Sequence, residues 1–249
     1  MPITILQITD THIHDLDVID FYGMQPRASL QQVIQHARTH IPDIDYVVVT
    51  GDLTHEGGEA AAEHLKYNLQ QFKCPVYVTP GNHDDAHIIE HYLLDDQIVM
   101  PEQIQLDDWQ LLFVDSHVDQ QVHGQISEHS LIKLNQQLKQ NPKPALLFTH
   151  HPPSSINCRW LDKIGIKNGE QLLHQLINYP QLKAIIFGHI HQQFEQQWEH
   201  FLLLGSPSTC IQFKPCSDHF ATDNLSPGYR VISLHSEGKL TSQVFRCPI

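Results

Sequence analysis

Five short polar segments carry residue types able to hold metal ions, and each ends an apolar, β-rich run. Asp10-Thr11-His12 follows Ile-Thr-Ile-Leu-Gln-Ile-Thr, and Gly51-Asp52 follows Tyr46-Val-Val-Val-Thr50. Gly81-Asn82-His83-Asp84 follows Val76-Tyr-Val-Thr-Pro80, His150-His151 follows Ala145-Leu-Leu-Phe-Thr149, and Gly188-His189-Ile190-His191 follows Ala184-Ile-Ile-Phe187. Carboxylates, imidazoles and one amide, without thiolate, form a borderline-to-hard donor set. Such a set suits Mn, Fe or Zn better than Cu(I), or than Ca, which prefers oxygen alone. The donors suffice for two ions. Two dications sharing a carboxylate sit about 3.5–4 Å apart, hold a hydroxide between them and clamp phosphoryl oxygens for in-line displacement.

Such donors must be delivered to one rim by strands. The apolar run 3–9 precedes an amphipathic stretch over 29–39, with Leu30, Val33, Ile34 and Ala37 at helical spacing. Run 46–50 precedes a helical pattern over 59–72, and run 76–79 leads through a turn at Gly81 toward a helix over 85–93. Residues 103–106 and 110–115 read as a hairpin, and Ser127 caps a helix reaching Leu138. Strand 145–149, helix 168–178 and strand 184–187 follow, and then a strand-rich tail at 193–198, 200–204, 209–213, 229–235 and 239–246. This order predicts an α/β chain forming one domain over 1–249, a two-sheet β-sandwich flanked by helices. Ligands of parallel sheets gather outside the carboxyl ends of the strands, where all five segments fall. On extended backbone the i, i+2 spacing of Asp10 with His12, and of His189 with His191, turns both side chains of each pair to one side. Gly51 and Gly81 permit tight turns, and Gly188 a close backbone approach.

The chain has 249 residues, 41% of them hydrophobic, and a formal net charge of −13. That charge argues against nucleic acid held through its phosphates, which needs clustered Lys and Arg. A small anionic substrate remains compatible if bound cations reverse the local field. No apolar run is long enough for a membrane span, and the start lacks the pattern of a signal peptide, so a cytoplasmic location is expected. The five cysteines are scattered without a CxxC pair, which points to free thiols rather than disulfides or structural zinc. With 20 histidines in the chain, no single one is evidence of a site.

Taken in order, Asp10-x-His12, Gly51-Asp52, Gly81-Asn82-His83-Asp84, His150 and Gly188-His189-x-His191 resemble the calcineurin-like metallophosphoesterase superfamily. Gln7-Ile-Thr-Asp-Thr-His12, Gly188-His-Ile-His191 and Pro207-Ser-Thr-Cys-Ile-Gln-Phe-Lys-Pro215 resemble its bacterial class III 3′,5′-cyclic AMP phosphodiesterases. Ser226-Pro-Gly-Tyr-Arg230 and Cys158-Arg-Trp-Leu-Asp162 agree with that subgroup. The resemblance implies an αββα fold with two divalent ions, Fe and/or Mn foremost, with Zn and Co as further candidates. Asp10, His12, Asp52 and His191 would hold one ion. Asp52, Asn82, His150 and His189 would hold the other, with Asp52 bridging. His83 would assist the leaving 3′-oxygen as cyclic AMP is opened to 5′-AMP, because an alkoxide leaves poorly unless protonated or stabilised. His12, Asp52, Asn82, His83 and His191 would then also meet the substrate, joined by His151, Cys210, Gln212 and Phe213 as further candidates, the last three alternatively packing as a strand.

In the protein-phosphatase branch an Asp stands three residues after the Gly-Asp aspartate and orients the catalytic His. Here His55 stands there, which leaves open what orients His83. His151 either lines the pocket or supports its loop, and His14 is expected on a surface turn. His36, His40, His64, His87 and His91 fall on solvated helix faces, and Trp109, Trp160 and Trp198 read as core or edge aromatics. A related enzyme acting on 2′,3′-cyclic nucleotides or other small phosphoesters is the catalytic alternative. A non-catalytic interaction scaffold is the alternative of another class. The sequence does not fix the oligomeric state.

Overall fold

A computed structural model describes residues 2–17, 20–55 and 57–248. In chain order the first half runs β1 (Ile3–Ile8), α1 (Pro26–His40), β2 (Tyr46–Thr50), α2 (Glu59–Leu69), β3 (Val76–Thr79), α3 (Ala86–Ile88), β4 (Ile98–Val99), β5 (Gln103–Gln105) and β6 (Gln110–Phe113). The second half runs α4 (Glu128–Gln140), β7 (Ala145–Phe148), α5 (Gly169–Leu176), β8 (Leu182–Phe187), β9 (Phe194–Trp198), β10 (Phe201–Gly205), β11 (Gln212–Phe213), β12 (Thr222–Asp223), β13 (Gly228–Leu234) and β14 (Leu240–Arg246).

These strands build two six-stranded sheets, ordered β14-β13-β1-β2-β3-β4 and β5-β6-β7-β8-β10-β9, plus a small β11-β12 ribbon. β1 through β4 run parallel in the first sheet, and β6, β7, β8 and β10 in the second. Strands buried on both faces read as near-continuous apolar runs, and alternation then decides which layer each residue fills. Ile5, Val48, Leu111, Phe113, Leu146, Phe148, Ala184 and Ile186 fill the layer between the sheets. The alternate residues Leu6, Ile8, Val47 and Val49 meet Leu30, Val33 and Ile34 of α1 and Ala61, Leu65 and Leu69 of α2. On the other side Leu112, Leu147, Ile185 and Phe187 meet Leu131, Leu134 and Leu138 of α4 and Leu172 and Leu176 of α5. The expected helix–sheet–sheet–helix layering is present.

Local departures have local causes. The helix expected over 85–93 is α only for Ala86–Ile88, capped by the Asp85 carboxylate, and then loosens to a π turn over Ile89–Leu93. The strand expected over 209–213 shrinks to Gln212–Phe213. Its beginning is curled instead, because Ser208 Oγ accepts from the Cys210 amide and Gln212 Nε2 donates to the Ser208 and Cys210 carbonyls. Ser127 does cap α4, accepting from Ser130 N. His36 and His64 are half-buried rather than solvated, and the His36 ring meets the Tyr229 hydroxyl. His14 is half-buried too, 4.6 Å from the His55 ring and 5.6 Å from Phe21 between centroids. Among the described residues no helix is long and apolar enough to cross a membrane.

Candidate metal centre

The carboxyl ends of β1, β2 and β3 in one sheet and of β7 and β8 in the other meet along a single rim. The turns after these five strands carry Asp10 and His12, Asp52, Asn82 and His83, His150, and His189 and His191. The backbone there is not extended, contrary to the expectation from the i, i+2 spacing. Asp10 (φ 53°), His12 (φ 45°), Asp52 (φ 47°), His189 (φ 66°) and His191 (φ 49°) all adopt left-handed conformations. For residues with a Cβ each such conformation costs on the order of 1–3 kcal/mol and persists only where the surroundings over-determine it. Here Asp10 N donates to Gly51 O and His12 N to Asp52 O, each at 3.0 Å, while His189 N donates to the Asp10 carboxylate at 3.0 Å. Gly51 (φ 84°) packs so tightly that a Cβ on it would overlap the His150 ring.

Hydrogen bonds fix the tautomers of two imidazoles. His150 Nδ1 lies 2.8 Å from the Thr50 carbonyl and His191 Nδ1 lies 2.8 Å from the Ile211 carbonyl. A carbonyl only accepts, so each Nδ1 carries a proton and Nε2 is the atom left to offer a lone pair to a cation. Those lone pairs face other acceptors. His191 Nε2 is 3.4 Å from Asp10 Oδ1, and His150 Nε2 is 3.3 Å from both Asp52 Oδ1 and Asn82 Oδ1. His12 Nε2 lies 3.2 Å from His191 Nε2 and 3.6 Å from Asp52 Oδ2, and His189 Nδ1 lies 3.3 Å from His150 Nε2. Acceptors pressed together need a positive centre between them, a proton or a metal ion. The donor set therefore fits divalent cations. Asp10 with His12 and His191, and Asp10 with Asp52 and His150, present donor atoms within 4.8 Å of one another.

Electrostatics point the same way. Burial works against a charge on His150, yet the Asp52 charge and hydrogen bond lift the ring to about 9, so without a cation a proton takes the place between Nε2 and Asp52. Burial would raise Asp52, but His150 outweighs it and holds the carboxyl well below its ordinary range. Burial foremost keeps His12 and His189 well below the usual histidine value, so both rings remain neutral and can donate lone pairs.

His83 is half-buried beside this rim, with its backbone N–H on Asp52 Oδ1 at 3.0 Å. Its ring stacks on His55 with centroids 4.4 Å apart and meets His12 edge-on at 5.0 Å. Asp84 turns away and its carboxylate accepts from Gly81 N, Leu53 N and Thr54 N, which staples the turn after β3 to the turn after β2. Burial and then the Asp52 charge push Asp84 up to about 7 against these three bonds.

Of three further candidates, His151 groups with His150 and His189 as possible donors, while Cys210 and Gln212 fall outside every such group among the described residues. His151 is fully buried, its Nδ1 on Ser116 Oγ at 2.8 Å and its Nε2 on the Val122 carbonyl at 3.1 Å. With both nitrogens engaged, it supports the loop rather than lining the pocket. Cys210 is buried, its thiol pushed up to about 12 by burial, and the Gln212 amide is paired with the Ser208 and Cys210 carbonyls and with Arg246. This segment reaches the open cavity through the alternate residues Ile211 and Phe213. The cavity itself, about 240 Å³, has His12, Asp52, Asn82, His83, His189 and His191 on one side. Phe21, Tyr22, Trp160, Phe213 and Phe220 form the other side. Sequence reasoning put Trp160 in a core or edge role and passed over Phe21, Tyr22 and Phe220; nothing in their spacing marks them.

Comparison with known proteins agrees with this geometry. Residues 3–193 match the calcineurin-like phosphoesterase family. The chain is 36% identical to the 3′,5′-cyclic adenosine monophosphate phosphodiesterase CpdA of Escherichia coli K12, over 98% of this chain and 90% of that protein. It is 34% identical to a 3′,5′-cyclic-nucleotide phosphodiesterase of Nostoc sp., over 100% of this chain and 94% of that one. In fold it is similar to a dimetal phosphatase from Danio rerio, with a TM-score of 0.68 at 14% identity over 100% of both chains. With a matching family profile and relatives that span nearly the whole chain, this protein belongs to the calcineurin-like phosphoesterase family.

Proposed function

We propose that this chain is a metal-dependent phosphodiesterase that hydrolyses 3′,5′-cyclic AMP to 5′-AMP. The observation that carries the reading is the convergence of bare imidazole nitrogens on carboxylate and amide oxygens, with an uncommitted His83 beside them in one cavity. The choice of cyclic AMP is supported by the relatives named for that substrate.

Asp10, His12, Asp52 and His191 hold one ion, and Asp52, Asn82, His150 and His189 the other, with Fe or Mn the metals that suit the donors best and Zn and Co alternatives. Bound there, two dications supply Lewis acidity toward the phosphoryl oxygens and an activated water at neutral pH. The Thr50 and Ile211 carbonyls hold His150 and His191 in the tautomers that face the rim. His83 is placed by its backbone bond to Asp52 and by the His55 stack, within reach of a phosphoester bound on the rim. In the reaction an oxygen from water bonds to phosphorus, the bond from phosphorus to the 3′-oxygen breaks, and His83 supplies the proton that the leaving oxygen takes. His12, Asp52, Asn82 and His191 border the same cavity and complete the phosphate surroundings.

The reading takes the chain as one catalytic domain acting in the cytoplasm on a small nucleotide. The five cysteines, all free, suit a reducing compartment. The test is steady-state turnover of 3′,5′-cyclic AMP, 3′,5′-cyclic GMP, 2′,3′-cyclic AMP and a phosphomonoester with Mn or Fe supplied. Highest kcat/KM on 3′,5′-cyclic AMP is expected. No turnover of it, with another ester hydrolysed, would replace this substrate, and no turnover of any would return the chain to an interaction role.

A further inference from the structure

The rim residues form only half of the cavity. The other half is aromatic, built from segments far apart in the chain. Phe213 lies flat on His191, with centroids 4.0 Å apart and planes 12° apart, so this wall is seated directly on a metal-rim imidazole. Trp160 meets Phe213 edge-on at 5.0 Å and Phe220 at 5.3 Å, and Phe220 meets Phe213 at 5.5 Å. Across the mouth, Tyr22 touches Phe220 at 5.3 Å.

Three features of this wall are unexplained by folding. Tyr22 and Phe220 are 63% and 47% exposed, apolar surface held in water at the edge of a site. Tyr22 is held there in a left-handed conformation (φ 52°), unfavourable for a bulky residue. The Trp160 indole nitrogen is buried without a hydrogen-bond partner among the described residues, although its side chain lines the cavity. The three rings stand 69–71° from one another, so the wall offers a planar ligand one ring face to stack on and ring edges around it.

We propose that Trp160, Phe213 and Phe220, with Tyr22 opposite, form a nucleobase subsite. A purine stacks on one ring of this wall and meets the edges of the others, while the phosphate occupies the rim. The occupant follows from continuity: one cavity of about 240 Å³ joins wall and rim, so a phosphoester bound on the rim carries its other end to the wall. The proposal rests on the nucleotide reading above. It also predicts that adenine and guanine are discriminated weakly, because stacking tolerates either ring.

The test compares 3′,5′-cyclic AMP with methyl riboside 3′,5′-cyclic phosphate, which keeps the reacting diester and lacks the base. Both are offered to the metal-loaded wild type and to Trp160→Ala, Trp160→Phe, Phe220→Ala and Tyr22→Ala. The exposed Tyr22 and Phe220 can be truncated without opening the core. In wild type, kcat/KM is expected to favour cyclic AMP by about tenfold or more, the scale of one base–aromatic stack. The Ala variants should raise KM for cyclic AMP by about that factor, leave kcat nearly unchanged and leave the base-free diester unaffected, with Trp160→Phe intermediate. Independently of turnover, 5′-AMP should quench tryptophan fluorescence and ribose 5-phosphate should not, with the difference lost in Trp160→Phe. Equal use of both diesters by wild type, or parallel losses on both in the variants, overturns the subsite and leaves the phosphodiesterase reading standing. If wild type hydrolyses neither diester, that reading fails, and the AMP quenching alone decides the subsite: its absence overturns it.

Discussion

The imidazoles of His55 and His83 stack with ring centroids 4.4 Å apart and planes 25° apart. His55 also brings its Nδ1 to 3.2 Å from Nδ1 of His12, so one ring touches both a metal-rim histidine and the residue assigned to the leaving group. The position where the protein-phosphatase branch carries an Asp is filled here by His55, whose ring face lies on His83.

His83→Ala should lower kcat/KM on 3′,5′-cyclic AMP by about 10²–10⁴-fold, the usual contribution of a positioned acid, while metal content per chain stays at the wild-type value. His55→Ala should cost less, about tenfold in kcat, because the catalytic ring remains but is less well placed. If His55 acts through His83, the double variant is no slower than His83→Ala alone. Additive losses in that kinetic cycle would assign His55 a separate role.

Metal removal should affect stability as well as turnover. Relieving the contacts between bare nitrogens and carboxylate oxygens at the rim favours the folded state when ions are bound. At free metal about a hundredfold over Kd, the gain is about 2.7 kcal/mol for each ion. For a chain of this size that corresponds to a rise in Tm of about 5–10 °C, read by calorimetry with and without chelator. Asp52→Asn should reduce binding of both ions, and Asn82→Ala of one, in metal analysis of the dialysed protein.

Gly51→Ala should be more damaging than Gly23→Ala, although both glycines have positive φ (84° and 87°). A Cβ at Gly23 meets nothing within 4 Å, so only backbone strain of about 1 kcal/mol is expected there. At Gly51 the new methyl meets the His150 ring, and the two strand ends it joins must separate. Denaturant midpoints of the two variants measure the difference, and metal affinity should fall for Gly51→Ala alone.

On α1, His36 is held below the ordinary histidine value, first by burial and then by the charge of His40 stacked 3.9 Å away. Its neutral Nδ1 lies 3.0 Å from the Tyr229 hydroxyl. The lowered value means that the unfolded chain binds the proton more readily, so this contribution to stability is intact above pH 6.5 and declines as pH falls below it. Titration of the ring by NMR should show His36 below 6.5, and His40→Ala should move it upward. An unshifted His36 in wild type would remove this cause of acid sensitivity.

Much of the fold was legible because its rules are short-ranged. The run Tyr46–Thr50 reads as a strand buried on both faces, and Val48 does face the sheet partner while Val47 and Val49 face helices. Leu131, Leu134 and Leu138 read as one helix face and pack as one. The helix over 85–93 was less legible because its regular pattern competes with the loosened π turn at Ile89–Leu93. Within the site, the resemblance named Cys210 and Gln212 as substrate contacts, whereas the backbone there curls around Ser208 and leaves both side chains buried.

By itself the sequence determined which donors end which strands, because an apolar run fixes the strand and the residue after it must sit at its carboxyl end. Only the tertiary structure decided how those donors face inward, through left-handed backbone at Asp10, His12, Asp52, His189 and His191 held by bonds between separate turns. It alone also brought Tyr22 to Phe220 and Phe213 onto His191. The first joins segments from opposite ends of the chain and the second residues on either side of β9 and β10, and no local pattern encodes either. They follow from the way two sheets pack, which brings the turns of one against the turns of the other.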